Sequence, residues 1–278
     1  MRRDRTITFS LPPFEGWVRR IIVACAGVYL LQVILSAFSP EATGFLFAYF
    51  GLTPAAVMHG YLWQLATYSL LHAGLGHIFF NMLTVWFIGG WLERDWGSRR
   101  FIECYVFCVV GAALVTIAVA YTGFLGMRPT SETVGASGGI FGLLMAFGIL
   151  YADQEMFMFP LPFMIKAKYL VGIWIFIALV ATFQPSQGGV ANFAHLGGLL
   201  FGFLYVKLMP RRGVVLGASE KYFSWRNSYY RWKRRRAARK FEVYMRKHDR
   251  NVNFDEYGNY VPPDEDKKNG GSKSGWVN

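Results

Sequence analysis

Six long apolar runs dominate this chain and leave it few options: Ile21 to Phe38, Leu75 to Leu92, Phe101 to Tyr121, Gly135 to Tyr151, Tyr169 to Phe183 and Val190 to Met209. Each approaches the roughly 20 residues that a helix needs to cross a hydrocarbon core about 30 Å thick. A segment in lipid must satisfy its own backbone polar groups, so such runs read as helices. The fifth run is short; Met164 and Ile165 extend it, and Lys166 and Lys168 snorkel toward the headgroups. The expected fold is an all-α polytopic membrane protein. An N-terminal segment, 1–16, precedes a six-helix membrane domain, 17–210. A basic aromatic segment, 211–250, and a disordered tail, 251–278, follow it.

Charge is segregated from these runs. The 278 residues carry a net charge of +12, yet 54% of them are apolar. With six spans, Arg94, Arg99, Arg100, Lys166 and Lys168 fall on the side of the termini, and only Arg128 falls on the other. The positive-inside rule then places both termini in the cytoplasm, and the expected location is a bacterial inner (plasma) membrane. The first run is longer than a usual signal-peptide core and lacks a small-x-small cleavage site, so it is expected to remain as a helix. Cys25, Cys104 and Cys108 all lie within spans and read as small packing residues, not as a disulfide framework.

Two stretches outside the spans carry information. Residues 39–74 form a long first connector rich in aromatics, expected to fold on or partly into the outer interface. From Arg211 to Arg250 there are 14 Lys and Arg against three acids, with Tyr222, Trp225, Tyr229 and Trp232 at helical spacing. That pattern fits an interfacial helix on anionic lipid, and fits a nucleic-acid partner less well.

The chemistry sits where polar groups enter the spans. The second, fourth and sixth runs all cross in one direction, so their N-terminal portions share a depth. His77 and Asn81, Ser137, and His195 fall there, roughly 10 Å below the outer surface at 1.5 Å rise per residue. Polar side chains at such depth are costly and mark functional sites. Ser137 opens a helix, where unpaired N–H groups and the positive dipole end suit an oxyanion. Gly135 and Gly138 leave room for a substrate backbone, and Gly198-x-x-x-Gly202 after His195 permits close helix approach. His77 and Asn81, four apart, face one way and both can donate hydrogen bonds. A Ser-His dyad is expected, in which His195 removes the Ser137 proton and Ser137 attacks a peptide carbonyl. No His-Glu-x-x-His is present and no carboxylate lies near those helix ends, so neither a metal nor any other cofactor is expected. The absence of an internal repeat and of buried acids argues against a proton-coupled transporter.

These residues resemble the rhomboid family of intramembrane serine proteases. The resemblance rests on His77-x-x-x-Asn81, Gly135-Ala136-Ser137-Gly138, Ala194-His195-x-x-Gly198-x-x-x-Gly202, and the connector Glu93 to Phe101 with Gly97 and Arg100. It implies a six-helix rhomboid-like bundle with a large first loop and a basic cytoplasmic tail. It also implies Ser137 as nucleophile, His195 as base, and an oxyanion hole from His77, Asn81 and the Ser137 N–H. The implied substrates are transmembrane proteins cut near the outer face. Two positions depart from the family's pattern: Trp63-Gln64 replaces a frequent Trp-Arg in the first loop, and Phe141 replaces a tyrosine stacked on the catalytic histidine. The alternative reading is a non-catalytic rhomboid-like scaffold that binds membrane segments.

Overall fold

A computed structural model describes residues 12–157, 164–183, 189–208 and 214–261. They divide into two compact units, Met1–Val214 and Val215–Asn278. The first begins with α1 (Gly16–Phe38), and a connector of short helices follows: α2 (Pro40–Phe50), α3 (Pro54–Met58) and α4 (Gln64–Thr67). Proline opens both α2 and α3, where its missing N–H costs nothing, and the Ser39 hydroxyl caps α2 by accepting from the Ala42 N–H. Gln64 pins the connector from within. Fully buried, it accepts from the Thr53 N–H at 3.0 Å and donates to the Ala48 and Tyr49 carbonyls at 3.0 and 3.2 Å. A neutral amide thus satisfies three backbone groups at the position where arginine is frequent.

The helix α5 (Leu75–Thr84) runs through a π turn at Val85–Gly89 into α6 (Gly90–Trp96), a continuous rod of 22 residues. After Gly97 comes α7 (Ser98–Thr122). Three rods, Gly16–Phe38, Leu75–Trp96 and Ser98–Thr122, are long and apolar enough to cross a membrane. Three more helices complete the unit: α8 (Ser137–Leu150), α9 (Ala167–Phe183) and α10 (Gly189–Leu208). The helix α8 is the centre of the bundle. Ten of its 14 residues are buried, with α7 and α10 packed on it. A helix apolar on every side belongs in a core. At 14 residues it spans about 21 Å, less than the hydrocarbon core, so its first residue need not stand at a membrane surface.

One carboxylate ties the first rod to the second. Glu93 accepts from the Trp17 and Val18 N–H groups at 2.7 and 2.9 Å and from the Ser98 hydroxyl at 2.5 Å. It therefore supplies the N-cap that α1 lacks from its own residues. Gly16, at φ +60°, is required there, because a Cβ would lie 2.1 Å from Glu93 Oε1. Charge-assisted bonds of this kind contribute about 1.5–3 kcal/mol each, so Glu93→Ala is expected to cost about 3 kcal/mol. Thermal unfolding in detergent checks this, with Glu93→Gln losing less.

Two expectations need correction. Met164 and Ile165 do not extend the fifth span. Met164–Lys166 is a strand, β2, paired antiparallel with β1 (Glu155–Phe157), Glu155 facing Lys166. The Ala167 N–H closes this hairpin on the Gln154 carbonyl, and the Lys168 ammonium bonds Asp153 at 2.7 Å. A pairing strand a few residues upstream competes for the same backbone groups that a longer helix would use. Residues 253–261, expected within a disordered tail, also fold. In the second unit α11 (Val214–Arg246) is followed by a hairpin of β3 (Asn253–Phe254) and β4 (Tyr260–Val261). The Asp255 carboxylate accepts from the N–H groups of Tyr257 and Asn259, both at 2.8 Å, and so builds the turn. Gly258, at φ +82°, lets the turn approach α11, because a Cβ would stand 2.9 Å from the Arg235 nitrogen. Residues 262–278 lie outside the described residues.

Candidate active site

Ser137 is the first residue of α8, and it is reached through a backbone only glycine tolerates. Gly135 has φ +123°, and its N–H donates to the Tyr68 carbonyl at 2.9 Å. Tyr68 is itself fixed, its hydroxyl donating to the Val109 carbonyl of α7 at 2.8 Å. The chain is thus anchored just before the serine, and the first N–H groups of α8 have no partner inside the helix.

Opposite stands α10, which approaches α8 as closely as backbone allows. A Cβ on Gly198 would lie 2.0 Å from the Gly138 carbonyl oxygen, and one on Gly202 would lie 2.4 Å from that of Gly142. A Cβ on Gly138 would itself lie 2.7 Å from the Ala112 Cβ of α7. This contact brings His195 Nε2 to 2.8 Å from Ser137 Oγ. With Nε2 unprotonated the serine hydroxyl donates to it, the arrangement a general base requires. The Phe141 ring stacks on the imidazole at 4.3 Å and 13°, and Trp174 of α9 meets Phe141 edge-on. Phenylalanine therefore keeps the stacking that the family's tyrosine provides, without the hydroxyl.

His77 and Asn81 complete the group. The ring edge of His77, Cε1 and Nε2, passes 2.7 Å from where a Gly135 Cβ would be, and Ser137 Oγ lies 3.7 Å from that point. The Ala73 N–H points to His77 Nδ1 at 3.4 Å, so Nδ1 accepts and, in the neutral ring, Nε2 carries the proton. Asn81 Nδ2 is buried and has no partner among the described residues, an unspent donor. All four side chains line one cavity of about 440 Å³, walled by Phe80, Ile140, Leu144, Trp174 and Ile177. Among the described residues no group of three His, Cys, Asp or Glu is placed to hold a metal ion.

Three supporting residues were not foreseen: Gln32, Tyr68 and His72. Gln32, buried in α1, holds the backbone of His72 at both ends, donating to its carbonyl at 2.9 Å and accepting from its N–H at 3.2 Å. An amide inside an otherwise apolar run is the signal that would have found it. His72, in the connector, packs edge-on to His77 at 5.1 Å. Burial first, and the neighbouring His77 second, hold its imidazole down to about 4, so it is neutral at physiological pH. The unfolded chain takes up this proton near 6.5 and the folded one only near 4, so stability is complete above 6.5 and declines as pH falls toward 4. The slope from this one group approaches 1.4 kcal/mol per pH unit. Chemical unfolding across that interval checks it, and His72→Gln is expected to flatten the profile.

Residues 59–212 match the rhomboid domain family. The chain is 32% identical over 150 residues to rhomboid protease GluP of Bacillus subtilis strain 168, a match covering 53% of this chain and 26% of that protein. It is 34% identical over 161 residues to RHOMBOID-like protein 1 of Arabidopsis thaliana, covering 55% and 36% respectively. To the putative rhomboid protease YdcA of Bacillus subtilis strain 168 it is 32% identical over 161 residues, covering 56% and 73%. The chain thus spans about a third or less of the length of the first two relatives and most of the third. A domain match over more than half of the sequence, together with its apolar helices, makes this chain an integral, multi-pass membrane protein of the rhomboid family.

Proposed function

We propose that this protein is an intramembrane serine endopeptidase that cuts transmembrane proteins near the extracytoplasmic face with a Ser137–His195 dyad. One observation carries the reading: a serine at a helix N-terminus, 2.8 Å from an imidazole, on the wall of a cavity that also holds an unpartnered buried amide. In this reading α1, α5–α6, α7, α8, α9 and α10 make six crossings; the excess of Lys and Arg beside both termini supports a cytoplasmic side there, with the cavity opening to the other side. The names of relatives that include rhomboid proteases agree with it.

In the proposed reaction His195 Nε2 takes the Ser137 proton as Oγ attacks the scissile carbonyl carbon. The developing oxyanion receives hydrogen bonds from the Ser137 N–H, Asn81 Nδ2 and His77 Nε2. Collapse breaks the C–N bond, and the imidazolium returns its proton to the leaving amine. Water, deprotonated by His195, then hydrolyses the ester. A substrate helix shields its carbonyls by internal hydrogen bonds, so cleavage requires a locally extended stretch. The apolar walls of Trp174, Ile177 and Leu144 would hold such a stretch on entry. A rhomboid-like scaffold that only binds membrane segments has no use for the buried donor of Asn81.

The test is cleavage of a single-span reporter by the full chain in liposomes. The wild type is expected to cut it near the outer boundary of its span, and Asn81→Ala to cut more slowly by about 100-fold, as for loss of one oxyanion donor. Binding of the reporter without any product would favour the scaffold.

A further inference from the structure

We propose that the second unit docks on bilayer surfaces carrying anionic headgroups through the face of α11 opposite its hairpin. At 100° per residue, Tyr222, Trp225, Tyr229 and Trp232 fall within an arc of roughly 80°. Arg226, Lys233, Arg236 and Lys240 extend the same stripe to about 120° overall. The hairpin packs elsewhere: Phe254 meets Phe241 edge-on, and Ala238 is 7% exposed. On the stripe Trp225 is 69% exposed and Trp232 is 51% exposed, unusual for the two largest apolar side chains. These rings pack on one another along the helix. Trp225 stacks on Tyr229 at 6.3 Å, Trp232 follows at 6.1 Å, and the Arg236 guanidinium lies 5.5 Å over the Trp232 ring.

Exposed indole and phenol rings interleaved with cations match a headgroup layer, where rings sit at the acyl boundary and cations meet phosphate. The same residue types also suit single-stranded nucleic acid. Connectivity favours lipid. Only residues 209–213 separate α10 from the start of α11, so the second unit is tethered to the membrane domain and its effective concentration at a bilayer surface is high. Ser224 and Arg231 lie outside the stripe and give the helix a polar side for solvent.

The full chain in nanodiscs tests this, in phosphatidylcholine alone or mixed with phosphatidylglycerol. The cysteines at 25, 104 and 108 are buried, so an environment-sensitive thiol dye can be placed at Tyr229→Cys on the stripe or Ser224→Cys off it. With phosphatidylglycerol the dye at 229 is expected to shift to the blue and be quenched by a lipid-borne nitroxide, while the dye at 224 is not. Reversing three charges, Arg226→Glu, Lys233→Glu and Arg236→Glu, should weaken docking roughly 100-fold. Arg231→Glu should leave it unchanged, and circular dichroism of each variant confirms that the helix persists. Equal spectra in both lipids, or a shift at 229 that appears only when RNA is added, would overturn the proposal.

Discussion

Ser137→Ala, His195→Ala and the double variant are each expected to lower the reporter cleavage rate by at least about 10⁴-fold, to nearly the same residual level. The reason is geometric. Oγ and Nε2 are 2.8 Å apart and act in one proton transfer, so removing either leaves the other without a function. Independent groups would instead show losses that multiply in the double variant. Neither substitution is expected to alter the fold much. Ser137 contributes one hydroxyl at the cavity wall, and the α8–α10 contact beneath it is made by glycine backbone. Equal thermal midpoints beside unequal rates would therefore separate chemistry from folding.

Gly198→Ala is expected to be the most destabilising of the small substitutions in the membrane unit, costing about 3 kcal/mol or more. Its Cβ would be driven to 2.0 Å from the Gly138 carbonyl oxygen and 3.0 Å from the carbonyl carbon, both backbone atoms of a buried helix that cannot swing aside. Overpacking of a rigid core usually costs about 1–3 kcal/mol, and a clash with backbone lies at the upper end. The helices must separate to admit the methyl group. Ser137 and His195 ride on those helices, so activity should fall with stability. Gly202→Ala, at 2.4 Å from the Gly142 carbonyl, is expected to be nearly as costly for the fold. Its contact lies about one turn further from Ser137, so it should spare the dyad more. Gly172→Ala on α9 meets nothing within 4 Å and serves as the neutral control. Thermal unfolding and cleavage measured together on the three variants check the ordering.

A helix rises by a fixed ~1.5 Å per residue, so polar residues near the starts of neighbouring helices can meet. His77, Asn81, Ser137 and His195 all stand near such starts, and the four line one cavity. The glycines of Gly198-x-x-x-Gly202 announced the close contact, since only a missing side chain lets two backbones meet. Partners drawn from distant segments were not legible. That Glu93 caps α1, or that Gln32 grips the backbone at His72, depends on which loop reaches which helix end, and local spacing does not encode it. Gln64 was visible as a departure from a motif, but its three backbone bonds were not. Met164 and Ile165 misled because two apolar residues next to an apolar run look the same in a helix or a strand. The hairpin beyond α11 was obscured by polar composition. It folds through one Asx turn and one glycine rather than through an extensive apolar face.

The most direct measurement is mass-spectrometric mapping of a fluorophosphonate adduct on the full-length protein in detergent. The dyad predicts a single modified residue, Ser137, with labelling abolished in Ser137→Ala and strongly slowed in His195→Ala, because the hydroxyl reacts only while Nε2 accepts its proton. Labelling at another serine, or labelling of Ser137 at an undiminished rate in His195→Ala, would contradict it.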